Sequence, residues 1–256
     1  MLSRKIDSKI IKSNNMGYPF PQVPHKVYSK TFLKDVHLIF KYATVHPDES
    51  IITNVRSYYE ESFRIKTENV DVAKDINIKS KDELIWFDFK WDELSICMKS
   101  PMYKSFELTL EVMEYALDFF KTIGVSVVEK VVFYKFNELS YNLAKDVVVS
   151  EIMNQIFSKE LLENMSAKDI ESQKELSRWE KIVNYHNNTN DFTIEFGFNR
   201  DAKENNTGSL TLKTQIESSF PSLSVNDIEF VLREYNQILD NAFHWCVRPD
   251  IVKKME

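Results

Sequence analysis

The sequence predicts an α+β fold: antiparallel strands form a sheet, covered on one face by two long helices, in two related strand-strand-helix halves. Three observations predict it. Several short runs alternate apolar and polar residues, as half-buried strands do. Two longer stretches, 106–123 and 224–245, carry apolar residues at spacings of three and four. Strands followed by a long helix occur twice, with roughly 120 residues between the two helices, a repeat of element order and not of residues. The organisation this implies is a basic N-terminal arm over 1–26, a first half over 27–145, a helical connector over 146–171 and a second half over 172–256.

The arm is punctuated by Gly17, Pro19, Pro21 and Pro24, which favour extended backbone, with Tyr18 and Phe20 as its packing residues. Over 32–45, Leu33, Asp35, His37 and Ile39 share one phase and Val36, Leu38, Phe40 and Tyr42 the other, which predicts a strand ending at His46-Pro47-Asp48. Residues 51–63 read as either a strand or a short helix. Leu84–Phe89 and Leu94–Lys99 read as two strands joined by a short turn. Phe106, Leu110, Met113, Leu117 and Phe120 line one helical face, and Gly124 is placed to end that helix. The β-branched and aromatic run 126–136 predicts a strand.

In the second half, 176–185 predicts a strand and Asn187-Asn188-Thr189-Asn190 a turn. Phe192–Phe198 alternates as a half-buried strand, and after a turn over 205–208 its partner spans 209–216. Ser224 is the N-cap expected before a helix over 228–247, whose face runs Ile228, Val231, Leu232, Tyr235, Ile238, Leu239, Ala242 and Phe243. Phe120 and Phe243 are the expected core anchors of the two helices.

The chain has 256 residues, 43% hydrophobic and 28% charged, the balance of a globular protein. Its four glycines are widely separated, so neither a dinucleotide fingerprint nor a P-loop is present. The net charge of −6 argues against nucleic acid as a partner. The basic residues are concentrated early, with Arg4, Lys5, Lys9, Lys12, Lys26, Lys30 and Lys34 against Asp7 alone in the first 34 positions. No signal peptide and no apolar run long enough for a transmembrane helix is expected. Cys97 and Cys246 lie in apolar runs and read as small buried hydrophobes, which suits a reducing cytoplasm.

Catalytic and metal chemistry has few footholds. No serine sits in a Gly-x-Ser-x-Gly elbow, and no HExxH or CxxC occurs. Among His25, His37, His46, His186 and His244, none has a second His or a Cys at a spacing of three to five; His37 shares a strand phase with Asp35. Asp82, Glu83, Asp88, Asp92 and Glu93 surround the aromatic strand 84–89, where Asp88 takes the solvent phase and Lys90 and Lys99 are ordinary partners. Trp86, Phe87, Phe89 and Trp91 read as core and not as base-stacking rings, since acids outnumber lysines around them. The sequence therefore names no catalytic residue, no metal ligand and no cofactor, and leaves the binding residues unknown.

Three segments together carry a resemblance. These are the strand around Leu33-Lys34-Asp35-Val36; the helix leading into Ile123-Gly124-Val125-Ser126 and on through Phe133-Tyr134-Lys135-Phe136-Asn137; and the terminal helix ending Asn241-Ala242-Phe243. This order resembles a sporadically distributed family of uncharacterised bacterial proteins of about 250 residues, from Phe32 to the C-terminus. That family usually has an arginine in the strand before the asparagine, where this chain has Phe133-Tyr134-Lys135. It carries no established activity; its patchy distribution implies an accessory role at a bacterial defence or stress locus. The function expected is a non-catalytic protein-binding or assembly module of the bacterial cytoplasm. Its partner is another protein or a second copy, not nucleic acid or membrane. The alternative is an enzyme, hydrolase or nuclease-like, with a site assembled from separated His, Asp and Glu residues.

Overall fold

In the computed structural model the described residues are 17–255, apart from 25–27, 29–30, 47–48, 51–52, 56, 58–65, 68–75, 81, 101–102, 104, 143–148, 167, 169–177, 188 and 201–206. Residues 1–16, most of 51–63 and the turn 205–206 thus lie outside the described residues. Nine strands form one antiparallel sheet. They are β1 (Leu33–Lys41), β2 (Lys66–Thr67), β3 (Ile76–Lys79), β4 (Ile85–Phe89), β5 (Glu93–Lys99), β6 (Val127–Asn142), β7 (Arg178–His186), β8 (Asn190–Arg200) and β9 (Thr207–Ser224). Their order across the sheet is β2-β3-β4-β5-β1-β6-β9-β8-β7. The helices are α1 (Phe106–Thr122), α2 (Val149–Ile156), α3 (Lys159–Leu162), α4 (Ile228–Cys246) and α5 (Pro249–Lys253), with a 3₁₀ turn at Val225–Asp227.

The strands form where the sequence alternates, and the burial follows the alternation. In β1 the phase Val36, Leu38, Phe40 is fully buried, and Asp35, His37 and Ile39 are half-buried. One phase of the sheet builds the core. A single row of cross-strand neighbours runs Ile78, Phe87, Ile96, Leu38, Phe133, Ile216, Phe192, Tyr185 from β3 to β7. Onto this phase α1 lays aromatic side chains: Phe120 meets Phe40, Phe119 lies 4.2 Å from Phe89, and Phe106 faces Phe133. Tyr18 and Phe20 of the N-terminal segment join Phe192, Tyr185 and Trp245 in the same layer, so this stretch packs on its own chain.

Among the described residues one charged group is buried in that core, in addition to polar side chains such as Asn236 and Ser218. Lys135 of β6 lies on the buried phase, 2.6 Å from Asp240 Oδ1 and 2.7 Å from Asn236 Oδ1, both on α4 one turn apart. Burial would lower its pKa, but the Asp240 carboxylate and Tyr103 outweigh that and hold it above the usual lysine range.

Two glycines are set by the backbone. Gly124 sits at φ +76° and ends α1 in the left-handed region. Gly197 of β8 leaves no room for a Cβ, because the β7 backbone at Trp179 and Glu180 occupies that space.

Two expectations are corrected. The sheet is not covered by two long helices: among the described residues only α4, of 19 residues, is long, and α1, α2, α3 and α5 have 17, 8, 4 and 5 residues. The arm segment around Tyr18 and Phe20 supplies part of the covering layer. Nor are there two related strand-strand-helix halves. Among the described residues six strands precede residue 145 and three follow residue 172, and β6 and β9 pair along nearly their whole length to fuse them. Periodicity reports how a segment is exposed, not which segment it pairs with, and element order therefore suggested a repeat that pairing does not follow. Strands β6 and β9 also run past the predicted 126–136 and 209–216. Ser224 caps the 3₁₀ turn, accepting from the Asn226 N–H, and α4 follows it.

Candidate functional site

The half-exposed phase of the sheet centre brings Asp35, His37 and Cys97 together. Strand β1 is the fifth of nine, and His37 points to the side away from the core because Val36 and Leu38 take the core side. The register sets Cys97 of β5 on one side of His37 and Tyr134 of β6 on the other. The Tyr134 ring stacks on the imidazole, centroids 4.3 Å apart and planes within 12°. Cys97 Sγ lies 3.4 Å from His37 Nε2. Asp35 is two residues back on the same strand and hence on the same face. Its carboxylate, the imidazole and the thiol have ligand atoms all within 4.8 Å of one another.

The flanks of this cluster are cationic side chains resting on rings. Lys79 and Lys99 lie 5.1 and 4.5 Å from the centroid of Trp86, the neighbour of Cys97 on β4. Lys213 lies 4.7 Å from the Tyr134 ring. Burial, and then the Lys213 charge, hold the His37 pKa down to about 4. Burial, with the Asp35 charge adding and Lys99 opposing, pushes the Cys97 thiol up to about 12. Burial likewise raises Asp35, against the pull of Lys34 and Lys99. At neutral pH the pair is a thiol beside a neutral imidazole. A cysteine nucleophile needs its thiolate, so this arrangement is not an activated Cys-His dyad.

The other sequence candidates are dispersed. His46 is exposed, and His25 lies outside the described residues. His186 pairs with Asp191 at 2.8 Å on the surface. His244 donates from Nδ1 to the Asp240 carbonyl at 2.8 Å and accepts from Tyr28 at Nε2. Of the acids near β4, Asp82 accepts from the Leu84 N–H and Ser80, closing its own turn. Asp88 lies 3.8 Å from Lys90, and Glu93 pairs with Lys90 at 3.1 Å and Lys41 at 3.4 Å. They do not converge. Cys246 is buried as expected; Cys97 is half-buried on the other face, not a core residue. The signal for Cys97 was its phase: it alternates with Ser95 and Lys99, against Leu94, Ile96 and Met98. Phe120 is fully buried, but Phe243 is only partly so.

A groove of about 290 Å³ lies between α2 and α3, lined by Met153, Leu162 and Met165 with Lys159 and Glu163 at its margin, and brings no His or Cys together. Among the described residues no helix is long and apolar enough to cross a membrane. No family model matches the chain, and no curated protein matches it.

Proposed function

We propose that the protein is a non-catalytic assembly module that pairs with a second copy of itself through the sheet edge at β7, in a bacterial cytoplasm. The observation that carries this reading is the edge itself. β7 is nine residues long, is bonded to β8 on one side, and is the last strand of the sheet among the described residues. A long regular edge offers a row of backbone donors and acceptors to a second strand. The opposite edge is blunt by comparison, since β2 has two residues and β3 four. Ile182 of β7 is 51% exposed, one of the few large apolar residues so placed.

An antiparallel copy of β7 centred on Ile182 sets Ile182 against itself, Trp179 opposite Tyr185, Glu180 opposite Asn184 and Lys181 opposite Val183. A register centred on Lys181 would oppose two lysines and is disfavoured. Self-pairing of this kind is isologous and closes at a dimer. The cytoplasmic assignment is supported by two cysteines that are both free.

Sedimentation velocity on the full chain tests the reading. The wild type is expected to be dimeric at micromolar concentration. Ile182→Lys places like charges face to face at the twofold and yields a monomer with unchanged circular dichroism. A wild type that is monomeric throughout overturns the reading and favours the enzyme alternative. Removing residues 1–26 is not a clean test, because it strips Tyr18 and Phe20 from the core.

A further inference from the structure

We propose that Asp35, His37 and Cys97 form a binding site for a zinc ion at the centre of the half-exposed sheet face. This site is independent of the self-pairing at β7, which lies at the far edge of the sheet.

The geometry is that of a ligand set. With bonds of about 2.3 Å to sulfur and about 2.0 Å to nitrogen, the sulfur–nitrogen edge of a zinc tetrahedron is roughly 3.5 Å. The Cys97 Sγ to His37 Nε2 separation is 3.4 Å. Asp35 reaches the same point from two residues away on one strand, within 4.8 Å of both. Three protein ligands leave a fourth position, and this face of the sheet is where water or an outside donor can reach it. The Tyr134 ring stacks on the imidazole and restricts its plane.

The donor types choose the metal. One thiolate, one imidazole and one carboxylate suit zinc; magnesium and calcium prefer oxygen alone. Charge agrees with the choice. On binding, the Cys97 S–H bond breaks, its proton leaves to solvent, and the sulfur electron pair forms the bond to the metal. Thiolate and carboxylate then neutralise the dication. The nearby lysines do not neutralise the Asp35 carboxylate beforehand. Lys99 rests on Trp86, Lys213 rests on Tyr134 and reaches Glu195 at 4.0 Å, and neither forms an ion pair with Asp35.

Cobalt(II) titrated into the metal-free full chain tests the site, because cobalt reports both sulfur ligation and tetrahedral geometry in its absorption. The expected result is about one equivalent bound per chain, with a sulfur-to-cobalt charge-transfer band that zinc displaces. Cys97→Ser should abolish that band, while Cys246→Ser leaves it intact. His37→Asn and Asp35→Asn should each weaken cobalt binding by at least roughly tenfold. Asp35→Asn is nearly isosteric, so its loss of affinity with an unchanged thermal unfolding curve separates ligation from misfolding. Absence of the band in wild type, its persistence in Cys97→Ser, or equal affinity in wild type and Asp35→Asn overturns the site.

Discussion

Two neighbouring rows of side chains cross this sheet on opposite faces. On the helix side the row from Ile78 to Tyr185 is apolar or aromatic in all eight strands from β3 to β7. One residue over, on the other face, the row reads Lys79, Trp86, Cys97, His37, Tyr134, Gln215, Thr193, Asn184. The backbone hydrogen-bonding ladder is shared, so the difference is one of water. The first row is removed from it, and polar atoms there need full pairing. The second row is half-wetted. It tolerates titratable groups, yet desolvates them enough to shift His37 and Cys97 by large amounts. Stability is concentrated on one face and chemistry on the other.

The largest effects should come from breaking the helix side. Phe120→Ala removes a fully buried ring packed against Phe40 and Tyr42 and should cost about 3–5 kcal/mol. Lys135→Ala should cost a similar amount, about 3–5 kcal/mol, by removing the buried cation that pairs with the partly buried Asp240. Converting the pair to Lys135→Met with Asp240→Leu should recover most of that loss. Urea unfolding of the four proteins decides it. A cost under about 1 kcal/mol for either single change would mean that the helix layer does not exclude water there. Phe243→Ala, at a half-exposed position, should cost clearly less than Phe120→Ala.

An intermediate effect is expected where the second face packs best. Tyr134→Leu removes the ring stacked on His37 and should cost about 0.5–1.5 kcal/mol by thermal unfolding. A loss as large as that of Phe120→Ala would show that this face is in fact covered.

The alternation within β1 was legible in the sequence, because a strand with one wet and one dry face must alternate, but the strand stops at Lys41 and not at the predicted His46. The ends of α1 were legible too, where Gly124 supplies the left-handed stop. Partner choice was not legible. His37 and Cys97 are 60 residues apart in sequence, and nothing in either segment states that β1 inserts between β5 and β6. Cys97 was misplaced because Ile96 and Met98 flank it; its phase, shared with Ser95, was the better guide. Lys135 was hidden for the opposite reason. A lysine in an alternating strand reads as solvent-facing, and its acid, Asp240, lies 105 positions away.

The smallest effect belongs to the ion pair that contrasts with Lys135–Asp240. Lys34 Nζ lies 2.5 Å from Glu138 Oε2, with 58% of the lysine side chain and 25% of the glutamate exposed. The chemistry is the same lysine–carboxylate contact, but water competes for it. Lys34→Met should therefore cost no more than about 1 kcal/mol at neutral pH. Its pH dependence tells the two faces apart. The Lys34 hydrogen bond, against burial, holds Glu138 below its ordinary value of 4.5. A carboxylate lowered in the folded state contributes stability above its unfolded pKa, and that contribution fades as pH falls through the folded value. The difference between wild type and Lys34→Met should thus be present at pH 7 and vanish in the acid range below 4.5. Added salt should shrink it at pH 7 as well. A Lys34→Met cost that matched Lys135→Ala, or that stayed constant from pH 7 into acid, would mean that Glu138 is shielded from water, and the contrast between the faces would fail at this end of the sheet.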